Sequence, residues 1–166
     1  FYLPLDRVQR ALQLIQRGEP VSRGTLQTVF NYTPYDELVR LGLRAVTQEA
    51  ARKARPDLTG MLVVDEVLPG SPTEGKLQPG DILTHVNGQL ITTFLPLEER
   101  LDNSVGGKVD IVVERGGEKV QQTLPVGDLH AIRARPPREG HAVRARVARR
   151  RRQRAALVVC AVDGQR

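Results

Sequence analysis

The stretch GMLVVDEVLPGSPTEGKLQPGDILTHVNGQLI, residues 60–91, decides how the rest of this chain is read. Met61-Leu62-Val63-Val64 is an unbroken apolar run, the pattern of a strand covered on both faces. Pro69-Gly70-Ser71-Pro72 is a cluster of turn formers, and Pro79-Gly80-Asp81 makes a second turn. Asp81 to Val86 follows as a second strand. Asn87-Gly88 then suits a two-residue hairpin, whose central residues both need positive φ. The glycines, prolines and Asp81 of this stretch read as structural, and none is a catalytic candidate.

Upstream, Val8, Ala11, Leu12 and Ile15 recur at helical spacing after Asp6, a helix cap, and Gly18 stops the helix. Phe1 to Leu5 reads as the end of a preceding strand. Arg23 to Phe30 is a glycine followed by an alternating, β-branched strand. Thr33-Pro34-Tyr35-Asp36-Glu37 is a helix start, with Thr33 as cap, Pro34 at the first helical position and Asp36 in the first turn. Leu38, Val39 and Leu41 supply its apolar face. Residues 45–55 read as a polar, exposed helix inserted between core elements and closed by Pro56.

Downstream, residues 94–101 form a short helix with Phe94, Leu97 and Leu101 on one side. Val109 to Val113 and Val120 to Pro125 are strands joined by a hairpin at Arg115-Gly116-Gly117-Glu118. The body is therefore a compact, β-rich α+β domain.

The 166 residues carry a formal charge of +6, but the charge is unevenly divided. Residues 1–132 hold 14 Lys and Arg against 17 Asp and Glu, whereas residues 133–166 hold 11 Arg and 2 acids. The basicity is thus a property of the tail, where Arg149-Arg150-Arg151-Arg152 is the densest run and disorder is the expectation. A nucleic-acid partner is expected only through that tail, as a phosphate-binding or nuclear-targeting patch, and the tail has no aromatics to stack bases. A single cysteine, Cys160, excludes an internal disulfide framework. His85, His130 and His141 lack metal-ligand spacing, so neither a metal nor another cofactor is expected. No apolar run is long enough to span a membrane. A chain that opens on Phe1 is expected to be a fragment or a processed product.

Three stretches in this order carry a resemblance. They are Arg23-Gly24-Thr25-Leu26; Thr33-Pro34 through Leu41-Gly42-Leu43; and Val67 to Pro72 with Leu77 to Leu83 and Val86-Asn87-Gly88. Together they resemble the PDZ region of the HtrA/Deg-type serine proteases. Phe1 to Arg7 is similar to the end of the protease domain that precedes it, and Gly127 to Ile132 to the linker that follows. The Arg-Gly-Thr-Leu-Gln segment, Tyr35 to Leu43 and the insertion at residues 48–55 are most similar to the fungal nuclear, apoptosis-associated branch of that family. Past Ile132 the resemblance stops, which a shifted reading frame or a retained intron would explain.

The resemblance implies a PDZ-like, partly open β-barrel or sandwich of about five or six strands with two flanking helices. The implied divisions are residues 1–22, the protease end and linker helix; residues 23–127, the PDZ domain; and residues 128–166, linker and basic tail. It implies a module that binds C-terminal or extended peptides by strand addition, regulates a serine endopeptidase, works in the nucleus, and oligomerises through the protease domain. The carboxylate nest would be Gly24-Thr25-Leu26-Gln27, with glycine demanded by a sharp turn close to the ligand. Gln27, Thr28, Val29 and Phe30 would pair with the peptide, and residues 95–102 would face it. Leu26, Leu97 and Leu101 would line the pocket for the last apolar side chain, and Arg23 would attract the carboxylate. Thr25 and Gln27 depart from the familiar Gly-Leu-Gly-Phe form of this loop. No Ser-His-Asp triad is recognisable here, so no catalytic residue is assigned to this chain.

Overall fold

A computed structural model describes residues 5–133, without the side chains of Asp6, Arg7 and Arg133. The readings made on Phe1 to Pro4, on the arginine run, His141 and Cys160, and on the tail after Arg133 fall outside the described residues, while Leu5, read as the end of a strand, is helical. Within them the elements run α1 (Leu5–Gln16), β1 (Gly24–Thr25), β2 (Thr28–Pro34), α2 (Tyr35–Arg40), α3 (Ala45–Ala54), β3 (Gly60–Val67) and β4 (Ile82–Val86). They continue β5 (Gln89–Leu90), α4 (Phe94–Asp102), β6 (Lys108–Arg115), β7 (Glu118–Pro125), β8 (Gly127–Asp128) and α5 (Leu129–Arg133).

The main sheet is open and antiparallel, in the order β2-β3-β4-β6-β7, with β5 paired to β4. The short strands β1 and β8 form a second, two-stranded sheet. This is the PDZ-like α+β architecture expected, with short strands and helices that the sequence patterns leave out.

β3 explains why the opening stretch reads as covered on both sides. Leu62 and Val64 enter a large apolar cluster with Leu83, Val86, Ile91, Ile111, Val113 and Leu124. Their neighbours Met61 and Val63 enter a second cluster with Tyr35, Leu38, Leu43, Ala51 and Ile82. Side chains alternate across a strand, so a continuous apolar run is satisfied only when both faces are packed. Each Leu, Ile or Val fully buried this way contributes roughly 1.5–3 kcal/mol.

The second cluster corrects one expectation. α3 is helical, but it is not merely an exposed insertion: Thr47 and Ala51 are buried. Arg52 also lies over the Tyr35 ring, 4.4 Å from its centroid. Burial raises the Tyr35 phenol above its ordinary value, with Arg52 opposing the shift and Tyr32 adding to it.

Three local expectations are corrected as well. The strand drawn over residues 23–30 is broken at Leu26-Gln27, because Gln27 adopts φ 56 and turns the chain between β1 and β2. Thr33 belongs to β2, and Pro34 occupies the cap position of α2 at φ −62, ψ 153. Val39, Leu41 and Phe94 are exposed rather than apolar-face residues: the short α2 buries Tyr35 and Leu38, and α4 buries Leu97 and Leu101, four residues apart. The α1 stripe likewise forms at helical spacing, yet Val8, Leu12 and Ile15 are exposed within the described residues.

The turns are those expected. Asn87 and Gly88 both have positive φ, at 48 and 78, and β4 and β5 pair across them as a tight hairpin. Asp81, the last residue of the Pro-Gly-Asp turn, accepts two hydrogen bonds from Arg115, each 2.7 Å, and one from the Gln78 amide at 2.8 Å. That buried fork joins the turn to β6.

Candidate functional site

The sequence-predicted residues converge at one end of the main sheet. Leu26, Leu97 and Leu101 are buried in the large cluster, with Phe30 partly buried against it. β2 lies at the end of the sheet order, paired to β3 on one side. Thr28 and Phe30 are partly buried, while Val29 is exposed. The apolar surface shared by Leu26, Phe30, Leu97 and Leu101 therefore joins α4 to the beginning of β2.

Gly24 is required here for a reason different from the one the sequence suggests. Its φ is not in the left-handed region, so no sharp turn demands it. A Cβ at this position would lie 2.1 Å from the carbonyl carbon and oxygen of Leu101 and 2.7 Å from the Asp102 nitrogen. Glycine lets β1 pass directly against the last turn of α4.

The same crossing exposes a residue that sequence reasoning missed. Asp102, with an 8% exposed side chain, accepts a 2.7 Å hydrogen bond from the Gly24 amide. Its carboxylate also faces Arg10 of α1 at 3.4 Å and Arg23 Nε at 3.8 Å, the latter an ionic rather than a hydrogen-bonding distance. Arg10 additionally donates to the Asp102 carbonyl at 2.6 Å. Arg23 Nη2 lies 3.6 Å from Glu98, one turn back on α4. Arg23 is thus directed toward α4 and its acids. In the sequence, Asp102 is only the polar end of a helix, and nothing local signals its partners.

The loop between β1 and β2 is stitched from both sides. The Gln27 amide donates to Thr25 Oγ1 at 3.0 Å, within the loop itself. The Gln27 carbonyl accepts from the Leu68 amide at 3.0 Å. The Leu26 carbonyl accepts from Thr73 Oγ1 at 3.0 Å and from Thr28 Oγ1 at 3.4 Å. Thr73, fully buried, also contacts Thr28 Oγ1 at 3.1 Å and Ser71 Oγ at 2.9 Å. The turn-rich segment after β3 therefore holds the loop, a role for Ser71 and Thr73 that their sequence surroundings do not announce.

Among the described residues no group of three or more His, Cys, Asp or Glu is arranged to hold a metal ion. No helix among them is long and apolar enough to cross a membrane.

Residues 63–115 match the PDZ domain family. The chain is 54% identical over 132 residues to the pro-apoptotic serine protease nma111 of Aspergillus clavatus, an alignment covering 80% of this chain and 13% of that protein. It is 53% identical over 132 residues to the pro-apoptotic serine protease NMA111 of Coccidioides immitis, with the same coverage. The chain therefore spans 13% of the length of these relatives. Among solved structures it is similar to the HtrA-type protease AlgW with decapeptide, at TM-score 0.56 and 26% identity, over 82% of this chain and 37% of that one. AlgW with tripeptide superimposes at TM-score 0.51 and 28% identity, over 83% of this chain and 40% of that one. With its edge strand, its turning loop and the flanking helix, the chain carries a PDZ domain, matched over residues 63–115, and is similar to HtrA-type serine proteases.

Proposed function

We propose that this domain binds peptides in extended conformation by adding them as a further strand to β2, alongside α4. The observation that carries the reading is the position of β2 at the end of the sheet, with the Leu26, Phe30, Leu97 and Leu101 cluster between it and α4. An edge strand offers backbone donors and acceptors to an incoming strand, and the buried cluster holds α4 to the beginning of β2. Arg23, Gly24, Thr25 and Gln27 shape the loop at one end of this track, and Thr28 and Val29 begin the pairing edge.

In a longer protein such binding regulates a serine endopeptidase. The names of the fungal relatives support a link to apoptotic proteolysis, and the resemblance to their nuclear branch supports a nuclear setting. Residues 23–127 are the PDZ unit in this reading, with residues 1–22 as its linker.

Hydrogen exchange followed by mass spectrometry tests the binding mode. The probe is a degenerate decapeptide pool ending in Val, Leu or Phe. Slower exchange in Thr28–Pro34, with altered exchange in Phe94–Asp102, is the expected result. Protection confined to β6 and β7, at the opposite end of the sheet, would refute strand addition at β2.

A further inference from the structure

β7 ends the main sheet opposite β2, and among the described residues no strand pairs with its outer side. Its pairing with β6 runs from Lys108↔Pro125 to Arg115↔Glu118 without a register shift. The turn between them, Gly116-Gly117, has φ 56 and 89, the two-residue hairpin in which the flanking Arg115 and Glu118 bond to each other. Glu118, Val120, Gln122 and Leu124 therefore direct their amides and carbonyls to β6. Val126 keeps that alternation, accepting from the Gly106 amide and donating to the Gly107 carbonyl at 3.0 Å each. The amides and carbonyls of Lys119, Gln121 and Thr123 are left pointing outward, and all three residues are exposed. Bulges and internal prolines usually blunt such an edge. β7 has no bulge, its proline stands at its end, and Lys119 is the only charge among the three outward residues.

We propose that the chain associates with a second copy of itself by antiparallel β7–β7 pairing about a two-fold axis at Gln121, with Lys119 and Asp110 forming reciprocal ion pairs that set the register. In this arrangement Gln121 stands opposite its own counterpart, and Lys119 stands opposite Thr123 of the other copy. Asp110 lies directly beside Thr123, whose hydroxyl donates to its carboxylate at 2.6 Å. Asp110, Lys119 and Gln121 line one depression on the same face of the sheet. The long Lys119 side chain of one copy therefore reaches the Asp110 carboxylate of the other, twice by symmetry. The two open sheets become one continuous sheet, and each copy covers the other's free edge. The contact is confined to one edge, so the dimer is weak and its population depends on concentration. It lies at the opposite end of the sheet from β2 and does not depend on peptide binding there.

Sedimentation equilibrium of the full chain tests this, from micromolar to millimolar concentration and under reducing conditions so that Cys160 cannot cross-link. The wild type is expected to pass from monomer to dimer across that range. Lys119→Glu alone sets glutamate against Asp110, and Asp110→Lys alone sets lysine against Lys119. Each variant is expected to dimerise roughly 5- to 30-fold more weakly than the wild type, since like charges replace opposite ones at two places. Mixed in equal amounts, the two variants regain complementary pairs, and their association returns to the wild-type level. A wild type that stays monomeric throughout overturns the proposal without needing either variant. A dimer that both charge changes leave unaltered places the contact elsewhere and overturns it too, as does a mixture that associates no more tightly than the variants do separately. Protection of β7 from hydrogen exchange by the decapeptide pool, in a wild type that remains monomeric, would give this edge to a peptide instead of a second copy.

Discussion

Gly24 shows how one missing side chain positions two elements. A Gly→Ala change at an ordinary backbone conformation tends to stabilise slightly, because it restricts the unfolded chain. At Gly24 the added carbon would overlap the Leu101 backbone at 2.1 Å, and backbone cannot rotate away as a side chain can. Gly24→Ala is therefore expected to lower stability by about 2 kcal/mol or more, measured as a shift in the urea midpoint. It should also weaken peptide binding, because relief of the clash moves α4 away from β1. A variant as stable as the wild type would show that this crossing is looser than its distances imply. Asp81 serves a different need at the same scale: the carboxyl of the Pro-Gly-Asp turn is buried, and its fork to Arg115 compensates the lost hydration.

At the scale of elements, α3 depends on a strand far from it in sequence. Its cap position is Arg44, whose side chain makes no capping bond. Glu114 of β6, fully buried, takes over that function. It accepts from the Arg44 amide at 2.9 Å and from Thr47 Oγ1 at 2.5 Å. A carboxylate at a helix N-terminus is favoured by the amide groups pointing at it. Glu114→Ala should cost roughly 2–4 kcal/mol, since hydrogen bonds to a charged group are lost and the Arg44 and Thr47 donors are stranded. Thr47→Val combined with Glu114→Ala should cost less than the two single changes added together. Chemical denaturation of the four proteins measures that coupling, and strict additivity would separate the helix from the strand.

For the molecule as a whole, His85 gives stability a pH dependence. It lies on β4 and shares a shallow depression with Asp110, Lys119 and Gln121. Burial lowers its pKa below the ordinary 6.5, Lys119 lowers it further, and Glu114 opposes the shift. The unfolded chain thus binds the His85 proton more tightly than the folded one does. This contribution to stability is fully present above the unfolded value near 6.5, declines as pH falls through it, and levels off below the folded value. The thermal midpoint should fall between pH 7.5 and 5.5, and His85→Asn should reduce that fall. An equal fall in the two proteins would assign the acid sensitivity to other groups.

Local rules were enough for the elements whose causes are local. The apolar run Met61 to Val64 announced a two-faced strand, Asn87-Gly88 announced a hairpin, and the four-residue spacing of Leu97 and Leu101 announced the buried face of α4. The order of the turn motifs was enough to indicate the PDZ family. The working details of the site and of the α3 terminus come from contacts between distant positions: Gly24 with Asp102 across 78 residues and Leu26 with Thr73 across 47 at the site, and Arg44 with Glu114 across 70 at α3. A threonine in a turn or an acid in a strand has the same local appearance whether it faces solvent or a buried amide. Sequence by itself determined the fold family and the location of the loop. Only the packing of α4, β1 and the turn after β3 decided which of that loop's donors are already bound, because hydrogen bonds form between groups that folding, not chain order, brings within reach.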